Sequence, residues 1–351
     1  MNIIEEYKTL QTRRQFFSQG KNLLGTAALG SLLGSGSSAA AGEGVVKTPF
    51  PATAKRVIYL HMVGGPAQMD LFDHKPKMKN FYDKDLPDSI RKGQRLTTMT
   101  SGQKRFPIAP TKFKFSPAGE CGMMMNTELL PNLAKKADDI CWMRSLHTEA
   151  INHEPAIAAM QTGNQVPGRP CLGSWASYGL GSDNENLPAF VVLVAVPSNR
   201  DQEQAISSRL WGSGYLPGEH AGVSFRSAGD PILYINNPAG VPAAIRKSTI
   251  NNINALNEIN FEAVGDPETQ TRIRQYEMAF KMQASVPELT DLSTESDHTF
   301  KLYGEAAKKL GTFANTVLMA RRLAERGVRF IQIYHNNWDH HGNVAGRMPS
   351  Q

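Results

Sequence analysis

The stretch "AFVVLVAV", Ala189 to Val196, is an unbroken apolar run in which half of the residues are valine. A strand with one wet face alternates apolar and polar residues, whereas a strand covered on both faces does not, so this run reads as the interior of a parallel sheet. Working outward, three more β-rich runs take their place beside it: "RVIYL" at 56–60, "DICWMRSL" at 139–146 and "VRFIQIYH" at 328–335. Helical patterns lie between them. "TELLPNLAKKA" precedes the second run, and a long pattern from about Asp297 to Arg326 places Ala306, Leu310, Phe313, Val317, Ala320 and Ala324 on one face before Gly327 ends it. The alternation predicts an α/β fold, a mostly parallel sheet sandwiched by helices.

Between 197 and 290 the pattern changes. A loop segment rich in Gly, Pro, Asn and Ser leads into helical stretches near 243–259 and 267–284, which reads as an insertion forming a cap or one wall of a cleft. The chain of 351 residues, 40% of them apolar, is long enough to bury a substantial core. Its net charge is +6, of which the first 41 residues contribute +2, leaving 34 basic and 30 acidic side chains spread along the rest. With no basic run interleaved with aromatics, no nucleic-acid partner is expected.

The N-terminus carries its own message. "TRRQFFSQGKNLLGTAALGSLLG" sets Arg13 and Arg14 ahead of a short apolar segment and then "SSAAAG", the order of a twin-arginine export signal over residues 1–41 with cleavage after Ala41. Residues 42–54 follow as a flexible lead-in, and the domain starts at 55. Leu23 to Leu33 is too short and Gly-rich for a stable membrane span, and no later segment reads as one. The expected location is periplasmic or otherwise outside the cytoplasm, reached folded through the twin-arginine export machinery. Cys121, Cys141 and Cys171 allow at most one disulfide, lack C-x-x-C spacing, and are read as small buried side chains.

Ligands of open α/β sheets gather beyond the carboxyl ends of the strands. Three polar clusters follow strand-like runs here: Asp70, Asp73 and His74 after "HMVGGPAQM"; His147, Thr148, Asn152 and His153; and "YHNNWDHHGN" with His335, Asp339, His340 and His341. Mixed carboxylates and imidazoles suit a divalent metal, Zn, Mn or Ca, with Asp339 and His341 two apart and so facing one way in an extended segment. Pro155 stands where a helix would begin and Gly163 where it would end. Asn152 and His153 would therefore lie at a helix N-terminus, where free N–H groups favour an anion. Arg169 offers a second contact to that anion.

Several long segments are similar to the bacterial exported family known as domain of unknown function 1501. They are "RVIYLHMVGGPAQMDLFDHKP", "ELLPNLAKKADDICWMRSLHTEAINHEPAIAAMQTG", "GRPCLGSWASYGLGSDNENLPAFVVL", "YEMAFKMQ" and "ARRLAERGVRFIQIYHNNWDHHGN". The resemblance covers nearly the whole chain after the signal. It implies the alkaline phosphatase and sulfatase superfamily fold, in which a metal at the sheet rim serves hydrolysis of phosphate or sulfate esters. "PNLAKKADDICWMRSL" followed by "EPAIAAMQTG" resembles the sulfatase layout of helix, strand and Cys/Ser-x-P-S-R helix ending in Thr-Gly. The position matching the nucleophile there is His153, which excludes formylglycine and phosphoserine chemistry and leaves Thr148 or a metal-bound water to attack. The resemblance also implies further acidic and histidine ligands after residue 351, so the chain is expected to be a fragment.

Two functions follow as expectations. One is an exported metal-dependent hydrolase of phosphate or sulfate esters, acting on an anionic small molecule or polysaccharide ester. It would use His153, Asn152 and Thr148 as catalytic groups, Arg169 on the substrate, and Asp70, Asp73, Asp339 and His341 on the metal. The other is a non-catalytic periplasmic ligand-binding or envelope-assembly protein of the same fold.

Overall fold

The computed structural model describes residues 50–51, 53–93, 100–196, 204–226, 231–232 and 236–351. Residues 1–41, expected to be a twin-arginine signal, and most of the expected lead-in lie outside the described residues. Among the described residues four strands form one sheet: β1 (Val57–Met62), β4 (Phe190–Ala195), β5 (Val223–Phe225) and β6 (Phe330–His335). Their spatial order is β1-β6-β4-β5, and every neighbouring pair is parallel. A separate antiparallel ribbon joins β2 (Ser116–Ala118) to β3 (Met123–Met125). The principal helices are α1 (His153–Thr162), α2 (Leu172–Leu180), α3 (Ala243–Val264), α4 (Pro267–Thr290), α5 (Asp297–Tyr303) and α6 (Phe313–Glu325). Among the described residues no helix is long and apolar enough to cross a membrane.

Period-two alternation in the two central strands builds a core on each face. Val191, Leu193, Ile331 and Ile333 point to one side, where Met282, Val286 and Leu289 of α4 and Met319, Ala320 and Leu323 of α6 cover them. Phe190, Val192, Phe330 and Tyr334 point to the other, against Ile157 and Ala158 of α1 and Leu210 and Trp211. The continuous apolar run is therefore a strand buried on both faces. One buried polar chain crosses the second core: Gln332 Nε2 donates to the Tyr334 hydroxyl at 2.7 Å, and that hydroxyl donates to Gln161 Oε1 at 3.0 Å. Since an unpaired buried amide costs about 1–3 kcal/mol, this chain pins the rotation of α1 against β6.

Four features differ from expectation. Residues 139–146 form no strand. Trp142 Nε1 donates to the Ala137 carbonyl at 3.0 Å and its ring leans on Phe72, while Asp138 accepts from the backbone N–H groups of Glu120 and Cys121. Local packing on the β2–β3 ribbon thus takes the side chains that a sheet would need, and Met143 and Leu146 are exposed. The long helix is broken between α5 and α6 because Gly304 (φ 86°) and Gly311 (φ 85°) adopt backbone conformations that α-helix excludes. Ala306 and Leu310 fall in the break and are exposed. Cys171 is a buried free thiol, but Cys121 and Cys141 are exposed. The segment 197–290 contributes to the body of the domain, since β5 extends the sheet and α4 lies over its core. β1 is the outer strand on the other side, with Val57, Ile58 and Leu60 exposed.

Candidate functional site

Parallel pairing sets the carboxyl ends of β1 and β6 side by side, Met62 opposite His335. Two backbone bonds carry the pairing into the loops beyond: Val63 N donates to His335 O at 2.8 Å, and Trp338 N donates to Val63 O at 2.9 Å. The glycine pair then shows its purpose. Gly64 is buried at φ 105°, and a Cβ placed on it would lie 2.5 Å from Asp339 N and 2.9 Å from Asp339 Cβ. Only a residue without a side chain lets this turn press on the "WDHH" backbone.

Asp339 is the hub of what results. Its Oδ2 receives His341 Nε2 at 2.8 Å, His153 Nε2 at 3.1 Å and Gln204 Nε2 at 2.9 Å. The carboxylate is nearly covered, 15% exposed, while the His153 side chain keeps 34% and that of His341 keeps 43% of its surface. Facing an acceptor, each imidazole carries its hydrogen on Nε2 when neutral, which leaves the His153 Nδ1 lone pair directed away from Asp339. Nδ1 has no partner among the described residues. Gly65 faces it, and even an added Cβ there would stay 4.0 Å away. Gln204 is itself held by Asn336, which accepts from Gln204 N at 3.1 Å and donates to Gln204 O at 2.8 Å.

The structure thus brings His153, Asp339 and His341 together. Among the described residues Asp70, Asp73, Thr148 and Arg169 make no hydrogen bond or ion pair to this cluster. Asp73 pairs with Lys75 at 2.8 Å and Arg144 at 3.3 Å, and the Lys75 hydrogen bond leads the effects that lower its carboxyl pKa. The Asp70 carboxylate has no hydrogen-bond or ion-pair partner among the described residues; its backbone carbonyl accepts from Asn126 Nδ2 at 2.8 Å. Thr148 is exposed, and its Oγ1 accepts from Ala150 N at 3.2 Å. Arg169 is exposed and carries no ion pair among the described residues.

The α1 N-terminus is less open than expected. Asn152 is the N-cap, its Oδ1 accepting from His153 N at 2.8 Å, while Ala156 N bonds the Asn152 carbonyl. Pro155 is the third helical residue, not the first, and has no N–H. Only the Glu154 N–H is left for an anion, beside the Asn152 amide.

Of the expected metal set, Asp339 and His341 are in contact, while Asp73 is engaged by Lys75 and Arg144. Among the described residues no group of three or more His, Cys, Asp or Glu is arranged to hold a metal ion. In the His153–Asp339–His341 cluster both Nε2 atoms lie against one carboxylate oxygen. His335 is structural: burial pushes its pKa down to about 4, its ring stacks on Phe313 at 4.1 Å, and its Nδ1 accepts from Trp338 Nε1 at 3.2 Å. Both ring nitrogens of His340 are shut off from solvent without a partner among the described residues. Burial, reinforced by Arg347 and opposed by Asp339, lowers its pKa.

A cleft of about 750 Å³ runs along α1, walled by Leu146, His147, Thr148, Ala156, Met160 and Val166. Gln204 went unrecognised in the sequence because nothing in "RDQEQ" distinguishes a surface glutamine from one that clamps a carboxylate. No curated protein and no solved structure matches this chain. A family model described as a protein of unknown function matches residues 54–351, and the chain belongs to that family, DUF1501.

Proposed function

We propose that this chain is an exported hydrolase of phosphate or sulfate esters, its fold related to the alkaline phosphatase and sulfatase superfamily. The observation that carries the reading is the His153–Asp339 pair. One imidazole nitrogen is held by a covered carboxylate and the other is left open at the rim of a parallel sheet, the arrangement of a general base with its orienting group. His153 Nδ1 would take the proton of a water as it attacks phosphorus or sulfur, and the resulting imidazolium would be stabilised by Asp339. Protonated His153 would then return its proton to the leaving alcohol. The ester anion would rest against the Glu154 N–H and the Asn152 amide, with Arg169 as a further cation for a larger substrate such as a sulfated or phosphorylated polysaccharide. A divalent ion, if the cluster reorganises to take one, belongs at Asp339 and His341; no step above requires it.

The test is turnover of p-nitrophenyl phosphate and p-nitrophenyl sulfate, with and without chelator, and after adding back Zn, Mn or Ca. His153→Ala and Asp339→Asn should each lower turnover by about 10²–10⁴-fold, the usual worth of a positioned base. Folded protein whose turnover is unchanged by either substitution would refute the reading. A second reading, binding of an anionic ligand without catalysis, is favoured by one fact: Thr148, the hydroxyl nearest in sequence, is engaged with Ala150 N and makes no hydrogen bond to His153. Saturable binding of a sulfated glycan without turnover would select it.

A further inference from the structure

At the end of the sheet opposite Asp339, where β4 and β5 begin, lies a second cavity of about 480 Å³. Strands of this length hold the two sites about 20 Å apart. Phe190, Val223, Met278 and Met282 give the cavity an apolar wall. Its polar end is a connected set. Ser177 Oγ lies 3.0 Å from His220 Nδ1, His220 Nε2 lies 3.6 Å from Glu219 Oε1, and Arg274 Nε donates to the other oxygen of Glu219.

Local sequence explains why these groups meet. Gly173 and Ser177 are four apart and share the face of α2 turned to β4. A Cβ on Gly173 would come within 2.6 Å of the Phe190 ring, and one on Gly222 within 2.8 Å of it. Two glycines therefore let α2 and the loop before β5 close on Phe190 from both sides, bringing Ser177 to His220. The hydroxyl's choice of partner is also informative. A hydroxyl inside a helix ordinarily bonds the carbonyl four residues back, as Thr162, Thr249, Thr290 and Thr316 do here. Ser177 instead reaches an imidazole 43 residues away in sequence. Glu219 Oε1, 3.6 Å from His220 Nε2, is beyond hydrogen-bond range and acts on that nitrogen as a nearby negative charge; in the tautomer with the hydrogen on Nε2, His220 Nδ1 accepts from the serine hydroxyl.

We propose that Ser177 is a nucleophile toward uncharged carboxylic esters with short apolar acyl groups, with His220 as its base and Glu219 as the group that orients the imidazole. Ser177 Oγ bonds the carbonyl carbon as its proton passes to His220 Nδ1. The C–O bond to the alcohol then breaks, and the alcohol leaves with that proton. Water repeats the sequence on the acyl-serine, releasing the carboxylic acid and restoring Ser177. The Nη groups of Arg274, without partners among the described residues, are the donors for the transient oxyanion. The apolar wall seats the acyl chain, and a cavity of this size admits only a small one.

The experiment exposes the intact chain to a fluorophosphonate probe, maps the modified peptide by mass spectrometry, and follows p-nitrophenyl butyrate turnover. The expected result is one adduct on Ser177, with turnover lowered at least about 100-fold in Ser177→Ala and in His220→Ala, the scale of losing a nucleophile or its base. If Ser177→Ala fails to fold, Ser177→Cys keeps the side chain's size and should react with iodoacetamide faster than Cys121 or Cys141. Folded wild-type chain with no adduct on Ser177, or butyrate turnover that persists in Ser177→Ala, overturns the proposal.

Discussion

Replacing Gly64 with alanine tests whether the close approach of two loops holds the Asp339 cluster together. Two costs add. A Cβ residue at positive φ is strained by about 1–2 kcal/mol, and the new methyl would sit 2.5 Å from Asp339 N, backbone that cannot swing aside. To reach ordinary contact the loops must part by about 0.9 Å. A shift of that size along the His153–Asp339 contact, now 3.1 Å, takes the pair beyond hydrogen-bond range. Gly65→Ala is the matched control: its φ of 70° brings the strain, but its Cβ would meet nothing closer than 4.0 Å. The expected difference between the variants is about 2 kcal/mol of stability or more, roughly 3 °C or more in melting temperature for a domain of about 300 residues. Phosphate-ester turnover should also fall about 10²-fold further in Gly64→Ala, the usual penalty for a misplacement near 1 Å. Thermal melts and turnover on both variants decide the matter. If Gly64→Ala behaves like Gly65→Ala, the loops are not in forced contact and the account of the cluster fails.

Two further outcomes concern stability. His335 is pushed from 6.5 to about 4 by burial, so between those values the unfolded chain binds a proton that the folded chain refuses. Its contribution is therefore intact above pH 6.5 and is lost as pH falls toward 4, by roughly 3 kcal/mol. Urea unfolding at pH 7.5 and pH 4.5 should show this loss, and His335→Asn should remove that part of it. Arg322, 4% exposed, donates to the carbonyls of Leu289, Glu288 and Asp291 and to Glu295. Arg322→Met takes the side-chain donor from those three carbonyls while Arg321 still holds Glu295, and should cost about 3 kcal/mol in denaturant unfolding.

The central strands were legible because burial on both faces writes itself as an unbroken apolar run; β4 and β6 stand close to where those runs lie. β5 was not, since three residues inside a Gly-rich loop carry no periodicity. Residues 139–146 misled for the opposite reason: apolar content shows that side chains will be covered, not whether a sheet or a neighbouring ribbon will cover them. At the rim, Asp339 and His341 are juxtaposed by local spacing, and His153 joins them through the topology. Asp73 looked like its neighbours in composition, but Lys75 and Arg144 claim it in three dimensions. A carboxylate's partner is a property of the fold, so residue type and spacing could not separate Asp73 from Asp339.

The pairing of β1 with β6 also sets a timetable. Val57 lies against Phe330, so the first strand leaves the ribosome about 270 residues before its neighbour exists. At about 5–20 residues per second that is roughly a quarter of a minute to a minute of waiting. Throughout it Val57, Ile58 and Leu60 have no sheet to join, and long-range parallel pairing is slow even once both strands are present. The His153–Asp339 contact depends on that last docking step, so it can form only when nearly all of the chain from β1 to "WDHH" has been made.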